Sequence, residues 1–591
     1  MTRGHVLTLA TAALLLELLP LVAAHGDEHS DGGMTADMSQ AAQPQAAQDG
    51  GGPRSYWSLN EHSGLMYMHI ALETVAWFGV LPVGVMFSIA RSRLALPSQF
   101  AFLIVNALAL LLGVVYNHKT PELYENNAHS KMGWLFTWIA SAWVFMALIQ
   151  VYVGRTRDQS LDGYVAQPMT TANMAQYQRV QDEELPQPSR WSNDSGQGTE
   201  RNSASLFGGH SRSPSVESEI EQFTGPTRRY TRDEDDHRDE DAEKRGFLRN
   251  NAVDRFFTRN VGRFAVGKPL KWLRFFYVLI ERTVVVMGFF ALTTGTVVYG
   301  GIAVFNVLAH YIKGGIFFGY GVLTLGRWMG AFADFGWAWN VKPPKEVVGR
   351  RKAAIPSAEF TESFVIFLYG CTNVFLEHLA AWGDAWTAQD LEHVSISVLF
   401  FGGGLLGMIV ESRKMRDLLN SAVVVAQPPS QQTDETWQQP VQYRFPMNPM
   451  PGLIILLLGK MMGSHHQASM LSTMIHSQWG GMFMGFAMAR AVTYITLYIS
   501  PPKSYLPSRP PSEIVTAFCL IAGGITFIIS NKDTVAALES YNLDAMFTFT
   551  VTMGVVALIM AWETVLIAIK GWAVRWESSS HFAKYHQGVL A

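Results

Sequence analysis

The chain has 591 residues, of which 49% are hydrophobic and only 16% are charged, and its formal net charge is -3. Soluble domains carry about 25% charged residues, so this composition excludes an ordinary soluble protein and indicates a polytopic membrane protein in a lipid bilayer. No basic face points to a nucleic-acid partner. The two cysteines, Cys371 and Cys519, lie in apolar runs, which excludes a disulfide framework and a thiolate zinc site.

Residues 1–24 have the pattern of a secretory signal peptide. Arg3 precedes the apolar run VLTLATAALLLELLPLVAA, which ends in the small residues Ala23 and Ala24. We therefore expect the mature chain to begin near His25, with a lumenal polar tail over residues 25–60. The protein would enter the secretory pathway and reside in an endoplasmic reticulum, Golgi, vacuolar or plasma membrane.

Eleven apolar segments follow, and most have the roughly 20 residues that a helix needs to cross a bilayer. In the N-terminal membrane region, residues 61–154, the predicted spans are 65–89, 97–117 and 131–153. In the C-terminal multispan region, residues 246–572, they are 275–297, 313–336, 361–382, 391–411, the short 450–463, 477–499, 512–530 and 545–569. The predicted fold class is an all-α polytopic transmembrane bundle of about eleven spans.

The polar segments define the predicted topology. Residues 155–245 contain SRSPSVESEIEQ and RDEDDHRDEDAEKR and cannot bury enough apolar surface to fold, so we expect a disordered linker. Basic clusters recur at every second connection, which by the positive-inside rule makes the N-terminus lumenal and the linker and the tail over residues 573–591 cytosolic. A cytosolic linker could bind regulatory proteins, with Ser213-Pro214 as a candidate site.

The histidines are unevenly distributed on this topology. Of the seventeen histidines, five fall in the signal peptide or on the predicted cytosolic side. Twelve fall in the lumenal tail, lumenal loops or lumenal helix ends: His25, His29, His62, His69, His118, His129, His310, His378, His393, His465, His466 and His476. Imidazole is a common ligand of transition metals and haem iron, so a metal or haem site at this face is feasible. Interfacial histidines that only hydrogen-bond loops and headgroups are the alternative.

Two of these histidines begin predicted helices in the N-terminal region. In MHIALETVAWFGVLPVGVMFSIARSR, His69 stands at the lumenal end, and Glu73 lies one turn further on the same face. In NAHSKMGWLFTWIASAWVFMALIQ, His129 is at the lumenal end, and Gly133 follows after one turn. The order His, Ala-Trp, Pro-x-Gly and Arg in the first helix resembles the first core helix of the cytochrome b561 family.

That resemblance implies a b-type haem held by histidines of different helices, and electron transfer to or from a membrane-accessible donor or acceptor. His69 and His129 would be one axial pair at the lumenal face, with Gly133 leaving room for the macrocycle. Asn106 stands where a second-helix ligand would be expected, and no cytosolic pair can be assembled. The resemblance therefore implies one haem and not a two-haem path across the membrane.

The chain as a whole resembles the fungal YTP-like integral membrane proteins. The resemblance covers nearly all of residues 55–572 and rests on three long segments: TGTVVYGGIAVFNVLAHYIKGGIFFGYGVLTLGRWMGAFADFGWAWN, TESFVIFLYGCTNVFLEHLAAWGDAWTAQDLEHVSIS and SHHQASMLSTMIHSQWGG. It implies a signal peptide, a conserved N-terminal helical region, a variable polar insert and a conserved C-terminal multispan region. It implies no particular biochemical role.

The C-terminal region offers an alternative metal site. LEHLAAWGDAWTAQDLEH places Glu377-His378 and Glu392-His393 at facing helix ends, either as ligand pairs or as ordinary interfacial salt bridges. GKMMGSHHQASMLSTMIHSQWGG concentrates further donors, and the candidate metal ligands are His378, His393, His465, His466, Met470, Met474 and His476. Imidazole with thioether suits copper, although methionines also fill gaps in apolar packing.

Charges inside predicted spans are costly and are often functional. Glu73, Glu411, Arg490 and Glu563 are such residues, and Arg490 is expected to snorkel to the cytosolic interface. Three hypotheses remain: a membrane haem protein that transfers electrons, a copper-binding or copper-transporting protein, and a structural or trafficking protein without a cofactor.

Overall fold

The structure is a computed structural model that describes residues 55–59, 61–161, 268–374, 386, 388–425, 440, 442, 445–464 and 467–590. In these ranges all regular secondary structure is helical. The prediction of an all-α polytopic membrane protein is confirmed. The signal peptide, most of the lumenal tail and most of the polar linker lie outside the described residues, and they and the orientation in the membrane stay predictions.

Each of the eleven predicted spans coincides with a helix, and three short helices lie between them. In chain order the helices are α1 (Ser63–Ile89), α2 (Ala95–Lys119), α3 (Ala128–Leu161), α4 (Lys268–Gly300), α5 (Val304–Met329), α6 (Lys345–Ala353), α7 (Ala358–Val374), α8 (Ala388–Glu411), α9 (Arg413–Val425), α10 (Met450–Gly463), α11 (Met470–Ile499), α12 (Pro511–Ile529), α13 (Lys532–Ser540) and α14 (Ala545–Leu590). Eight of them are long and apolar enough to cross a membrane, namely α1, α2, α3, α4, α8, α11, α12 and α14. Helix α10 is shorter, as the sequence predicts.

Helix α5 differs from its predicted bounds of 313–336. It begins at Val304 and ends at Met329, because Gly330 adopts the left-handed conformation with φ 93°. The amide of Gly330 donates to the carbonyl of Arg327, and the amide of Ala331 donates to that of Gly326. This bonding pattern terminates helices at glycine. The predicted start was too late because His310 lowers the hydropathy of the first turns. The last helix also runs beyond the predicted span, to Leu590.

The chain divides into two compact units. The first contains residues 1–145 and 275–591, and the second contains residues 146–274. The described part of the second unit packs around Ile149, Tyr152 and Leu270. One of the cores of the first unit packs around Trp77 and Trp143, which are both buried.

A further core of the first unit joins the C-terminal helices around Trp479 and Phe483. Helices α5 and α12 meet there by backbone contact. A Cβ atom at Gly314 would lie 2.7 Å from the carbonyl oxygen of Gly524. Glycine therefore permits the close approach, as the glycine-rich sequence of α5 predicts.

A buried ion-pair network joins four C-terminal helices. Arg327 on α5 contacts Glu359 at 2.9 Å and Glu362 at 2.6 Å, both on α7. Arg490 on α11 contacts Glu513 on α12 at 2.8 Å and Glu362 at 3.5 Å. Each of these side chains is at most 7% exposed. The network lies toward the ends of α5 and α11 and the beginnings of α7 and α12.

The expectation that Arg490 snorkels to the interface is therefore wrong. Its side chain is only 3% exposed. It remains inside because carboxylates of two neighbouring helices pair with it, and withdrawal would leave those carboxylates unpaired in an apolar environment. Of the residues in this network, the sequence pattern identified only Arg490 and missed its partners.

We expect Arg490→Met to lower the free energy of unfolding by about 3–5 kcal/mol, because it leaves buried carboxylates without a partner charge. The measurement is the midpoint of thermal unfolding in detergent, followed by tryptophan fluorescence. The double variant Arg490→Met with Glu513→Gln should recover part of the loss. The control is Lys352→Met, which removes a half-exposed pair with Asp334 and should have little effect. Equal midpoints for Arg490→Met and Lys352→Met would contradict this account.

Candidate functional site

A cavity of about 530 Å³ lies among helices α1 to α4 of the first unit. Its walls include His69, His129 and Glu73 together with Trp77 and Gly133. We call the membrane side at which α1, α3, α5 and α11 begin the histidine face, because His69, His129, His310 and His476 all lie within two turns of these helix starts. Residues of the loop between α2 and α3 line the cavity on this side.

His69 and His129 are brought together, as the sequence analysis proposed. Their ring centres are 6.3 Å apart, and the ring planes meet at 74°. The Nδ1 atom of His69 lies 2.9 Å from the carbonyl oxygen of Ala109 on α2. A carbonyl oxygen only accepts, so Nδ1–H donates and, in the neutral ring, Nε2 carries the lone pair.

The second histidine is held in the same way by α4. His129 hydrogen-bonds the backbone of Ala291, and its Nδ1 atom lies 3.3 Å from the hydroxyl of Thr294. Both histidines are thus oriented by the helix against which they pack. Such a bond from the second ring nitrogen is typical of metal-ligating histidines.

A glycine lies beneath each ring. A Cβ atom at Gly113 would lie 3.0 Å from the His69 ring, and one at Gly295 would lie 3.1 Å from the His129 ring. Each glycine follows the carbonyl-bearing residue, Ala109 or Ala291, by one helical turn. No atom lies within 4 Å of the Cβ position of Gly133, which faces the cavity. Sequence reasoning found Gly133 but missed Gly113 and Gly295, although both interrupt apolar spans.

A hydrogen-bonded chain fixes the inner end of the cavity. A π-helical turn, Val75–Val80, carries Trp77, and its Nε1–H donates to Asn106 Oδ1 at 2.9 Å. Asn106 Nδ2 donates to the hydroxyl of Thr137 at 3.2 Å, which donates in turn to the carbonyl of Gly133 at 2.8 Å. Asn106, at the position where a ligand histidine was considered, therefore links α1 to α3.

A cluster of tyrosines lies at the outer end of the cavity, where Tyr56 and Tyr116 line it. The rings of Tyr116 and Tyr124 lie 6.1 Å and 6.0 Å from that of Tyr56. The Tyr124 hydroxyl donates to the carbonyl of Gly301 at 2.9 Å. Burial, with the nearby Asp533 carboxylate, raises the pKa of Tyr124 above its ordinary value, so it stays a neutral donor at physiological pH.

Those candidate metal ligands of the C-terminal region that the structure describes do not lie close together. Met470 is 76% exposed and Met474 is 49% exposed, whereas His476 is 6% exposed, so the methionines lie on a different face of α11. His393 lines a second cavity of about 310 Å³ between α5, α7, α8 and α10. Glu377, His378, His465 and His466 lie outside the described residues. Within the described part, no three His, Cys, Asp or Glu residues form a metal-binding group.

The other charges predicted within spans have separate locations. Glu73 lines the first cavity. Glu411 accepts a hydrogen bond from Ser357 at 3.1 Å at the end of α8. Glu563 on α14 lies beside Gly326, and within the described residues its Oε2 atom has no hydrogen-bond partner.

We expect Asn106→Leu to lower the free energy of unfolding by about 1–3 kcal/mol, because the buried Trp77 N–H loses its acceptor. The measurement is the fraction of protein that stays monodisperse on gel filtration after heating. The matched control is Thr550→Val on the exposed side of α14, where the hydroxyl bonds only the preceding turn of its own helix. If both variants lose their monodisperse fraction at the same temperature as the wild type, the hydrogen-bonded chain does not stabilise the bundle.

Comparison with known families identifies two matching regions of the chain. The family model described as protein YTP1-like, C-terminal, matches residues 284–571. A domain of unknown function, DUF2427, matches residues 53–153. These matches fall on the C-terminal and N-terminal membrane regions. No solved structure matches the chain.

Similar proteins occur in two yeasts. An uncharacterized membrane protein of Schizosaccharomyces pombe is 31% identical over 87% of this chain and 95% of its own length. An uncharacterized membrane protein of Saccharomyces cerevisiae is 38% identical over 52% of this chain and 48% of its own length. Protein YTP1 of Saccharomyces cerevisiae is 22% identical over 30% of this chain and 31% of its own length.

Proposed function

Because the chain belongs to the fungal YTP1-like family of membrane proteins, for which these relatives' names state no activity, we propose a function from the site itself. We propose that the protein is a membrane haem protein in which His69 and His129 are the axial ligands of one b-type haem at the histidine face. The observation that carries the proposal is the spacing of the two rings.

Two imidazoles that bind one metal from opposite sides through Nε2 have ring centres roughly 6.3 Å apart, because each metal–nitrogen bond is about 2.0 Å and each nitrogen lies about 1.15 Å from its ring centre. The centres of His69 and His129 are 6.3 Å apart. The Nδ1 bond of His69 to Ala109 favours the tautomer in which Nε2 is the ligand atom, and the Nδ1 contact of His129 with the Thr294 hydroxyl is compatible with the same tautomer. They also fix the ring orientation and raise the basicity of the ligand nitrogen.

The cavity provides room and matching polarity. Its volume of about 530 Å³ is within the range of about 300–1,000 Å³ usual for cofactor sites. Trp77, Phe78 and the open side of Gly133 form an apolar wall for a macrocycle. Asn127, Ser130 and Lys131 line the cavity near the start of α3 and would hold the carboxylates of a haem.

A haem with two histidine ligands supplies one-electron chemistry when bound. The residues of this chain would orient it and limit its exposure. Tyr56, Tyr116 and Trp77 line the cavity and would limit contact of a haem with water, while the polar side chains at the start of α3 would leave an edge of it near the histidine face. An electron donor or acceptor would therefore interact with the protein from that face.

We expect the detergent-purified full chain to contain about one haem, with a Soret band that shifts on reduction by dithionite. His69→Ala and His129→Ala should each remove the band, because a six-coordinate site needs both ligands. The control is His118→Ala, an exposed histidine near the same face. The measurement is the reduced-minus-oxidised spectrum together with pyridine haemochrome content. A wild-type protein without haem, or variants that retain a normal spectrum, would overturn the proposal.

A second test fills the space beside Gly133 that a haem macrocycle would occupy, and it leaves His69 and His129 unchanged. We expect Gly133→Leu to reduce haem content at least tenfold, because the new side chain would enter the cavity beside His129. The matched control is Gly554→Leu on the exposed side of α14, where no neighbouring atom lies within 4 Å. Haem content is compared in monodisperse samples. Full haem content in Gly133→Leu would exclude this part of the cavity as the site.

A further inference from the structure

His310 and His476 form a second histidine pair with the same separation as the first. His310 lies on α5 and His476 on α11, and their ring centres are 6.3 Å apart with ring planes at 87°. The two residues are 166 positions apart in the chain, so only the fold brings them together. This is also the separation expected for two imidazoles on opposite sides of one metal ion, roughly 6.3 Å.

Each ring is oriented by the preceding turn of its own helix. His310 Nδ1 lies 2.7 Å from the carbonyl oxygen of Asn306, and His476 Nδ1 lies 2.8 Å from that of Ser472. Both Nδ1–H groups therefore donate to carbonyl oxygens. In the neutral rings the lone pair is then on Nε2, which is the ligand atom that the spacing requires.

The described surroundings of this pair are apolar and aromatic, and they suit an ion better than a macrocycle. Neither of the two cavities is lined by His310 or His476. The ring of Phe527 lies 5.4 Å from that of His310, and the ring of Trp479 lies 5.7 Å from that of His476. One turn after His310, the backbones of α5 and α12 are already in contact at Gly314.

We propose that His310 and His476 bind a single copper(I) ion. Two neutral nitrogen ligands on opposite sides give the near-linear geometry that copper(I) accepts. A monovalent ion costs less to transfer into these apolar, aromatic surroundings than a divalent ion with the same neutral ligands. Imidazole is also one of the ligand types that suit copper. The site does not use Met470 or Met474, which are exposed, and it is independent of haem at His69 and His129.

The test measures copper(I) bound by the detergent-purified full chain. The protein is loaded anaerobically with copper(I) supplied as its acetonitrile complex, and a chromophoric copper(I) chelator then competes for the metal. We expect about one copper retained per wild-type chain. His310→Ala and His476→Ala should each weaken retention at least tenfold, while His118→Ala and the double variant Met470→Ala with Met474→Ala retain it.

Haem content is measured on the same samples, so failure of copper binding is distinguished from failure of the haem proposal. X-ray absorption at the copper edge of the wild type provides a readout that needs no variant. Two nitrogen neighbours with imidazole scattering are expected. Sulfur neighbours, a retained zinc ion in place of copper(I), or full copper retention in either histidine variant would overturn the assignment.

Discussion

The C-terminal bundle depends on one carboxylate that two arginines share. Glu362 contacts Arg327 at 2.6 Å and Arg490 at 3.5 Å, and each arginine has a further buried glutamate partner. Water cannot solvate these charges in hydrocarbon, so separation of the four helices that carry them has a large free-energy cost. The network therefore fixes the relative positions of α5, α7, α11 and α12 at one end.

That fixed end determines the geometry of the other end. From Arg327 back to His310 the helix α5 rises about 25 Å, which is most of the thickness of a bilayer core. Between the two ends, glycine contacts let α5 and α12 lie against each other without intervening side chains. A helix held at its end and along its length has little freedom to tilt, so the histidine at its beginning is held in position as well.

The two histidine pairs use the same bond in different surroundings. In both pairs the rings hydrogen-bond helix backbone. Nδ1 of His69 donates to a carbonyl of α2 and His129 bonds the backbone of α4, whereas Nδ1 of His310 and of His476 donates to a carbonyl of its own helix. The first pair lines a large cavity, whereas the second lies among packed aromatic rings. This difference in surroundings is the reason why we propose a bulky cofactor for the first pair and a bare ion for the second.

Much of the helical architecture could be predicted from the sequence, because the length and hydropathy of a span are local properties. The pairing of His69 with His129 could also be proposed, since both begin helices at the same face. The ion partners of Arg490 and the contact of His310 with His476 depend on which helix faces pack together, and a single sequence does not encode this in any short pattern. For the methionines, proximity in sequence was misleading. Met470 and Met474 are close to His476 in the chain, but the helical rotation between them places them on another side of the helix.

All four paired histidines lie within two turns of a helix start at the histidine face, and we therefore expect them at similar depths in a membrane. A charge that moves across the whole membrane does electrical work of about 2.3 kcal/mol per 100 mV, whereas one that moves parallel to the surface does almost none. Electrons or ions exchanged at this depth would be nearly insensitive to the membrane potential. If the two proposals hold, the reactions at both pairs would stay within one compartment and would neither generate nor consume a voltage.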